Sequence, residues 1–261
     1  MDLFGYLQLV LFVATLLLFT KPLGLYLVKV LDAEGKTFLD RGLKPVERVL
    51  YRLFRLAPGT EQDWKGYTVS VIAFSAVGVV FTYAILRLQN LLPLNPQGIG
   101  PVPPDLAFNT AASFATNTNW QNYSGESALS YFSQMVGLSF HNFVSAAAGI
   151  AVAAALVRGI ARHSAKTIGN FWVDLVRINL YLLLPACFVF SLFLVSEGVI
   201  QNFRPYVKAN AVEASAGQRG QGAGAGQEAD RVSTQVIAQG PVASQVAIKM
   251  IGTNGGGFFN A

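Results

Sequence analysis

The residues best suited to chemistry in this chain are backbone oxygens framed by small amides and hydroxyls. Residues 115–126 read Ala-Thr-Asn-Thr-Asn-Trp-Gln-Asn-Tyr-Ser-Gly-Glu, and residues 252–260 read Gly-Thr-Asn-Gly-Gly-Gly-Phe-Phe-Asn. Each stretch follows a run too short to cross a bilayer, Leu106–Phe114 and Val242–Ile251. A short helix followed by a polar loop is the pattern of a re-entrant segment. Non-helical backbone survives at membrane depth only inside protein or along a watery path, where carbonyls can replace the water around a dehydrated cation. Glycine reaches left-handed conformations without steric cost, so consecutive carbonyls can point one way, and Asn and Thr brace such backbone through local hydrogen bonds. Born estimates put a bare ion in low dielectric at tens of kcal/mol, so several held oxygens are needed. The competing reading of each loop is a plain external turn, with Asn122-Tyr123-Ser124 as an N-glycosylation sequon.

Other chemistry finds no support. Gly252–Phe259 begins like a phosphate-binding loop but carries Phe258 and Phe259 where Lys and Ser or Thr belong. No Asp precedes a Lys-Thr pair, so the phosphorylated aspartate of a P-type pump is absent. No paired His/Glu spacing suggests a transition-metal site, and no Ser-His-Asp constellation is evident. The single cysteine, Cys187, allows no internal disulfide and sits in an apolar run.

The surrounding elements read as membrane spans. Half the chain is hydrophobic (52%), only 13% is charged, and several apolar runs approach or exceed the roughly 20 residues a spanning helix needs. The net charge of +5 comes mostly from interhelical loops and reports topology rather than nucleic-acid binding. Residues 1–31 form one N-terminal transmembrane helix, with Lys21 snorkelling and Pro22 tolerated. The charged segment 32–66 contains an amphipathic interfacial helix, with Val46, Val49, Leu50, Leu53 and Phe54 opposite its arginines. The positive-inside rule places this segment in the cytoplasm and the N-terminus outside. Tyr67–Leu88 is the second span, and the Pro/Gly-rich residues 92–104 form an external loop. Asp105 is expected to N-cap the short helix, whose C-terminal partial negative charge would favour a cation at the polar loop.

Leu129–Val157 is the third span, with His141 and Asn142 either a buried hydrogen-bonded pair or part of an ion path. A cytoplasmic linker spans 158–170. Phe171–Val195 is the fourth span, in which Asp174 and Arg177 could pair at i, i+3 and Pro185 would kink the helix. An external loop at 198–240 is expected to be mobile, most of all over the Gly/Ala/Gln-rich 214–226. Pro241 then opens the second short helix in its first turn. Aligning Ala115-Thr116-Asn117-Thr118 with Gly252-Thr253-Asn254-Gly255 gives a repeat of span, short helix, loop, span. The first copy is 67–157, and the second, 171–261, stops before its closing span. Two loops cannot close a ring of ligands, so more chain or more copies are expected.

At Thr116-Asn117-Thr118-Asn119-Trp120-Gln121, Tyr123-Ser124-Gly125-Glu126, Gly240–Gln245 and Gly252–Asn260 the chain resembles the potassium-translocating A subunit of Kdp-type potassium-transporting ATPases. The resemblance covers about the N-terminal half of that family. It implies an all-α integral membrane protein of potassium-channel-like span/pore-helix/filter-loop/span repeats, truncated in the second of four. It further implies potassium binding by Thr116, Asn117, Thr118 and Asn119 in one quadrant and by Thr253, Asn254, Gly255 and Gly256 in the next. Trp120 and Gln121 would support the filter, Gln121 at a position associated with potassium affinity. The implied partners are a separate catalytic ATPase subunit, two small membrane subunits and the lipid bilayer of a bacterial inner membrane. Potassium is the only implied ligand, with no organic cofactor. The alternatives are a passive cation channel or Trk-like transporter, a non-conducting scaffold, and a membrane-anchored enzyme.

Overall fold

The computed structural model describes residues 3–32, 35–162, 165–210 and 234–259. Four of its helices are long and apolar enough to cross a membrane: Leu3–Leu31, Trp64–Leu91, Ser133–Ala161 and Phe171–Ser196. The chain divides into two compact units, residues 1–76 with 143–186 and residues 77–142 with 187–261.

In the first unit, α1 (Leu3–Leu31) runs through Pro22, as expected. Helix α2 (Asp40–Leu53) turns Leu43 and Leu50, with Leu39 just ahead of it, toward Val30, Leu180 and Tyr181, while Val46, Val49 and Leu53 stay exposed. Helix α7 (Phe171–Arg177) is capped by the Asn170 side chain, which accepts from the Trp172 and Val173 N–H groups. Asp174 and Arg177 do not pair with each other. Asp174 holds Arg158 through two bonds of 2.6 and 2.8 Å, and Arg177 donates to Glu47 at 2.7 Å.

Burial explains this correction. An i, i+3 pair contributes only about 0.2–0.5 kcal/mol on an exposed helix. A buried guanidinium must instead satisfy all its donors. Arg177 Nε reaches the Val30 carbonyl at 2.6 Å, and Arg158 reaches that of Leu31 at 2.6 Å. The two arginines thereby occupy carbonyls that the end of α1 leaves unpaired.

After α7 the chain widens into π-helical turns over Ile178–Leu183 before α8 (Leu184–Ser196). Pro185 has no N–H for the carbonyl four residues back, that of Tyr181. The Tyr26 hydroxyl donates to that carbonyl instead, at 2.5 Å. The effect of Pro185 is thus met by widening and an outside donor.

The second unit includes α3 (Trp64–Leu88) from Val77 onward, the short helix α4 (Pro104–Ala115), the single turn α5 (Gly125–Ala128) and π-helical turns at Ser133–Ser139 leading into α6 (Phe140–Ala161). Helix α4 begins two residues earlier than expected. Pro103 is its N-cap and Pro104 its first residue, because proline has no N–H to lose there and a φ already suited to a helix. Asp105 therefore lies in the first turn rather than at the cap. Gln89, fully buried, ties the Pro/Gly-rich loop down by donating to the Gly100 and Ala128 carbonyls and accepting from Ser130 N and Ser133 Oγ.

The segment expected to be mobile contains two short antiparallel strands, β1 (Val207–Asn210) and β2 (Thr234–Ile237), paired Val207 to Ile237. The stretch 214–226 lies outside the described residues. Helix α9 (Val242–Ile251) follows, with Pro241 as its N-cap rather than in its first turn. The Gln201 side chain accepts from Ser244 N and takes the cap's role.

Candidate functional site: two clipped loops

Helices α4 and α9 end in the same way. In α4 the Thr118 N–H reaches back to Ser113 O at 3.0 Å and the Asn117 N–H to Phe114 O at 3.3 Å. In α9 the Asn254 N–H reaches Lys249 O at 3.1 Å and the Thr253 N–H reaches Met250 O at 3.3 Å. Both are Schellman ends, which require a left-handed residue just past the helix. Asn117 (φ +60°) and Thr253 (φ +54°) fill that position, and Asn119 (φ +56°) and Gly255 (φ +96°) are left-handed again two residues on. The structural register therefore matches Thr116 with Gly252 and Asn117 with Thr253, one residue away from the alignment by residue type. Hydrogen bonding at the helix end sets the register, and side-chain identity does not. Thr253 is β-branched, so its left-handed backbone is strained and must be held by its surroundings.

Amide side chains hold the two loops together. Asn119 Nδ2 donates to the Asn254 carbonyl at 3.1 Å. Asn254 Nδ2 donates to Asn117 Oδ1 and, at 3.2 Å, to the Asn142 carbonyl. Gln121 clasps the Gly257 peptide on both sides: its Nε2 donates to Gly257 O at 2.9 Å and its Oε1 accepts from Gly257 N at 2.9 Å. Behind this, Gln245 donates to Gln134 Oε1 and Gln134 donates to Phe258 O, both at 3.0 Å. Glycine is required where the loops touch. A Cβ at Gly125 would fall 2.1 Å from Phe258 O, and one at Gly256 would fall 2.9 Å from Asn119 O.

All the loop residues singled out from sequence thus belong to one cluster, in two environments. Asn119 and Asn254 are 4% exposed and Gly256 is buried. Thr116, Thr118, Thr253 and Gly255 are exposed, and Asn117 is half-buried. Trp120 keeps its side chain 70% exposed and braces the loop through its main chain, whose N–H donates to Ser113 Oγ at 2.6 Å. Burial pushes the Tyr123 phenol well above its usual range, so it stays a neutral partner for Gln121.

Among the described residues, the buried Oδ1 atoms of Asn119 and Asn254, Oε1 of Gln245 and both polar atoms of the Asn142 side chain have no hydrogen-bond partner. Buried amides are ordinarily satisfied, so these four call for partners that the described residues do not supply. His141 does not pair with Asn142 through its ring. Its Nδ1 lies 2.8 Å from Thr82 Oγ1 and 3.3 Å from Gly137 O. Two residues escaped the sequence reading, Gln134 and Lys249, whose Nζ would lie 2.9 Å from a Cβ at Gly257, and Gln245 entered it only as the end of the Gly240–Gln245 stretch. The available signal for Gln134 was an amide at the start of an apolar span, a costly placement that usually has a purpose.

Residues 10–261 match the family model described as potassium-transporting ATPase A subunit. The chain is 52% identical over 256 residues to a potassium-transporting ATPase potassium-binding subunit of Rhodospirillum centenum, an alignment covering 98% of this chain and 41% of that protein. A protein of the same description from Acidobacterium capsulatum is 54% identical over 257 residues, covering 98% and 43%. One from Methylorubrum extorquens strain PA1 is 52% identical over 261 residues, covering 100% and 42%. The chain spans about two fifths of the length of these curated relatives.

Proposed function

The chain belongs to the potassium-transporting ATPase A subunit family, and from that premise we propose that its two loops supply two quadrants of a ring of main-chain oxygens that binds and passes potassium. It is a multi-pass membrane protein of that family. The ring sits in the outer part of a bacterial inner membrane, with the N-terminus outside, and takes potassium from the extracytoplasmic side. Thr116, Asn117, Thr118 and Asn119 form one quadrant, and Thr253, Asn254, Gly255 and Gly256 the next. Gln121 supports them through Gly257, and Trp120 through Ser113. The remaining ligands come from residues outside this chain. Uptake is driven by ATP hydrolysed on a separate catalytic subunit, with small membrane subunits completing the complex, and this chain carries no catalytic residue and no organic cofactor.

One observation carries the reading. Two short helices with identical ends deliver loops that are left-handed at every second residue, and amide donors clip those loops together. That alternation is what lets successive carbonyls face one side, and the clip is what keeps them there when an ion is absent.

Gln121→Met in the complete complex tests it. The change removes two hydrogen bonds to Gly257, about 0.5–1.5 kcal/mol each. The half-saturating potassium concentration for ATP-dependent uptake should rise about five- to 150-fold, at about 1.4 kcal/mol per decade. Unchanged half-saturation would overturn the proposed support role, and uptake that persists after ATP depletion would point to a passive channel.

A further inference from the structure

We propose that the first unit carries a binding site for a single phospholipid with a zwitterionic, primary-ammonium headgroup, as in phosphatidylethanolamine. The site is a pocket of about 600 Å³ at the ends of α1 and α6 and the start of α7. Leu27, Val28 and Leu31 of α1 and Ile150, Ala153 and Val157 of α6 form an apolar wall. Val28 and Val157 are more than 60% exposed. Its polar groups all lie at one end, where the spans give way to Asp32, Glu61, Arg158, Arg162 and Asp174. An apolar wall closed at one end by charges suits an amphiphile.

The charges decide which amphiphile. Arg158 is committed to Asp174 and to the Leu31 carbonyl, with side chains 15% and 3% exposed, so that pair forms the floor. Gly169 permits this floor: at φ +106° its missing Cβ would lie 2.2 Å from the Arg158 guanidinium. The mouth is different. Arg162 and Glu61 are each 38% exposed and bonded at 2.7 and 3.0 Å. An ion pair this exposed is weak and exchanges partners at little cost. The guanidinium fork suits a phosphodiester, and the Glu61 carboxylate suits a hydrogen-bonding ammonium.

At the mouth one guanidinium (Arg162) faces one carboxylate (Glu61), and at the floor Arg158 faces Asp174, so a headgroup carrying both signs can satisfy both members of the mouth pair. An anionic headgroup would take the guanidinium and leave the Glu61 carboxylate without its cation, which disfavours it. A quaternary ammonium cannot donate the hydrogen bonds the carboxylates accept, which disfavours choline.

The test is native mass spectrometry of the protein extracted from its own membrane in mild detergent with whatever subunits accompany it. Stepwise delipidation is followed by addition of phosphatidylethanolamine, phosphatidylcholine or phosphatidylglycerol. One phosphatidylethanolamine per chain should outlast the rest and rebind about tenfold better than phosphatidylcholine, the factor a charge-assisted hydrogen bond supplies. Ala153→Trp fills the pocket without touching its charges and should abolish retention. Glu61→Gln should retain lipid but lose the preference over choline. Equal retention of all three lipids, tighter phosphatidylglycerol, unchanged retention by Ala153→Trp, or no retained lipid because an accompanying subunit fills the pocket would each overturn the proposal.

Discussion

Replacing Gly256 by alanine adds one methyl group where the two loops come closest. A Cβ at this position would lie 2.9 Å from Asn119 Cβ, 2.9 Å from Asn119 O and 2.9 Å from Phe114 Cζ. Ordinary contact begins near 3.4 Å, so the loops must part by about half an ångström. Two of the three obstacles belong to Asn119, whose side chain is itself bonded across to Asn254. Overpacking of this kind costs about 1–3 kcal/mol. If the Asn119 carbonyl is a potassium ligand, that cost falls on binding. Half-saturation of potassium-dependent ATP hydrolysis in the assembled complex then rises about five- to 150-fold. Gly255→Ala separates spacing from strain. Nothing lies within 4 Å of its Cβ, but its φ is +96°, so the change costs about 1–2 kcal/mol in backbone strain without pushing on Asn119. Thermal unfolding should register both variants, whereas the shift in half-saturation should be clearly larger for Gly256→Ala. Wild-type half-saturation in Gly256→Ala, or an equal shift in both, would refute the claim that loop spacing sets affinity.

Arg177→Met leaves Glu47 buried without its cation and should cost about 3–5 kcal/mol in denaturant unfolding. The double variant with Glu47→Gln should recover part of that loss, and a single-variant cost below about 1 kcal/mol would show that the pair is not fully desolvated. A pH titration of thermal stability should reveal Glu61. Hydrogen bonds from Arg162 and then Thr167 hold its carboxyl below the ordinary 4.5. Its contribution is therefore fully present above about pH 4.5 and lost as the pH falls through the lower folded value. Glu61→Gln should remove that part of the acid slope, and an identical slope in the variant would exclude Glu61 as its source.

The long helices were legible because their signal is local: a run of apolar residues at least as long as a bilayer is thick. The ends of the two short helices were legible for the same reason, since Gly and Asn in such density after a short apolar run stop a helix. What failed was decided by burial or by hydrogen bonding at a distance. The i, i+3 spacing of Asp174 and Arg177 suggested a pair, but carbonyls at the end of α1, some 130 to 150 residues away in sequence, claimed both guanidiniums of the neighbourhood. The alignment of Thr116 with Thr253 followed residue type, whereas the Schellman bonds count from the last helical carbonyl. Strands β1 and β2 are four residues each and largely exposed along β1, too short to show a period of two.

The same reasoning explains why amides dominate the site where hydroxyls would seem to suffice. An asparagine donates through one atom and accepts through another, whereas a hydroxyl does both at a single oxygen. Asn119 and Asn254 direct their Nδ2 groups at main-chain carbonyls, of Asn254 and Asn142 respectively, which can only accept. That fixes the orientation of each amide and leaves its Oδ1 without a donor. Serine at either position would offer its one oxygen to the bond that clips the loops. The amides tie the loops together with nitrogen and leave oxygen over, and if the proposed potassium ring forms there, those oxygens add to the negative potential around it.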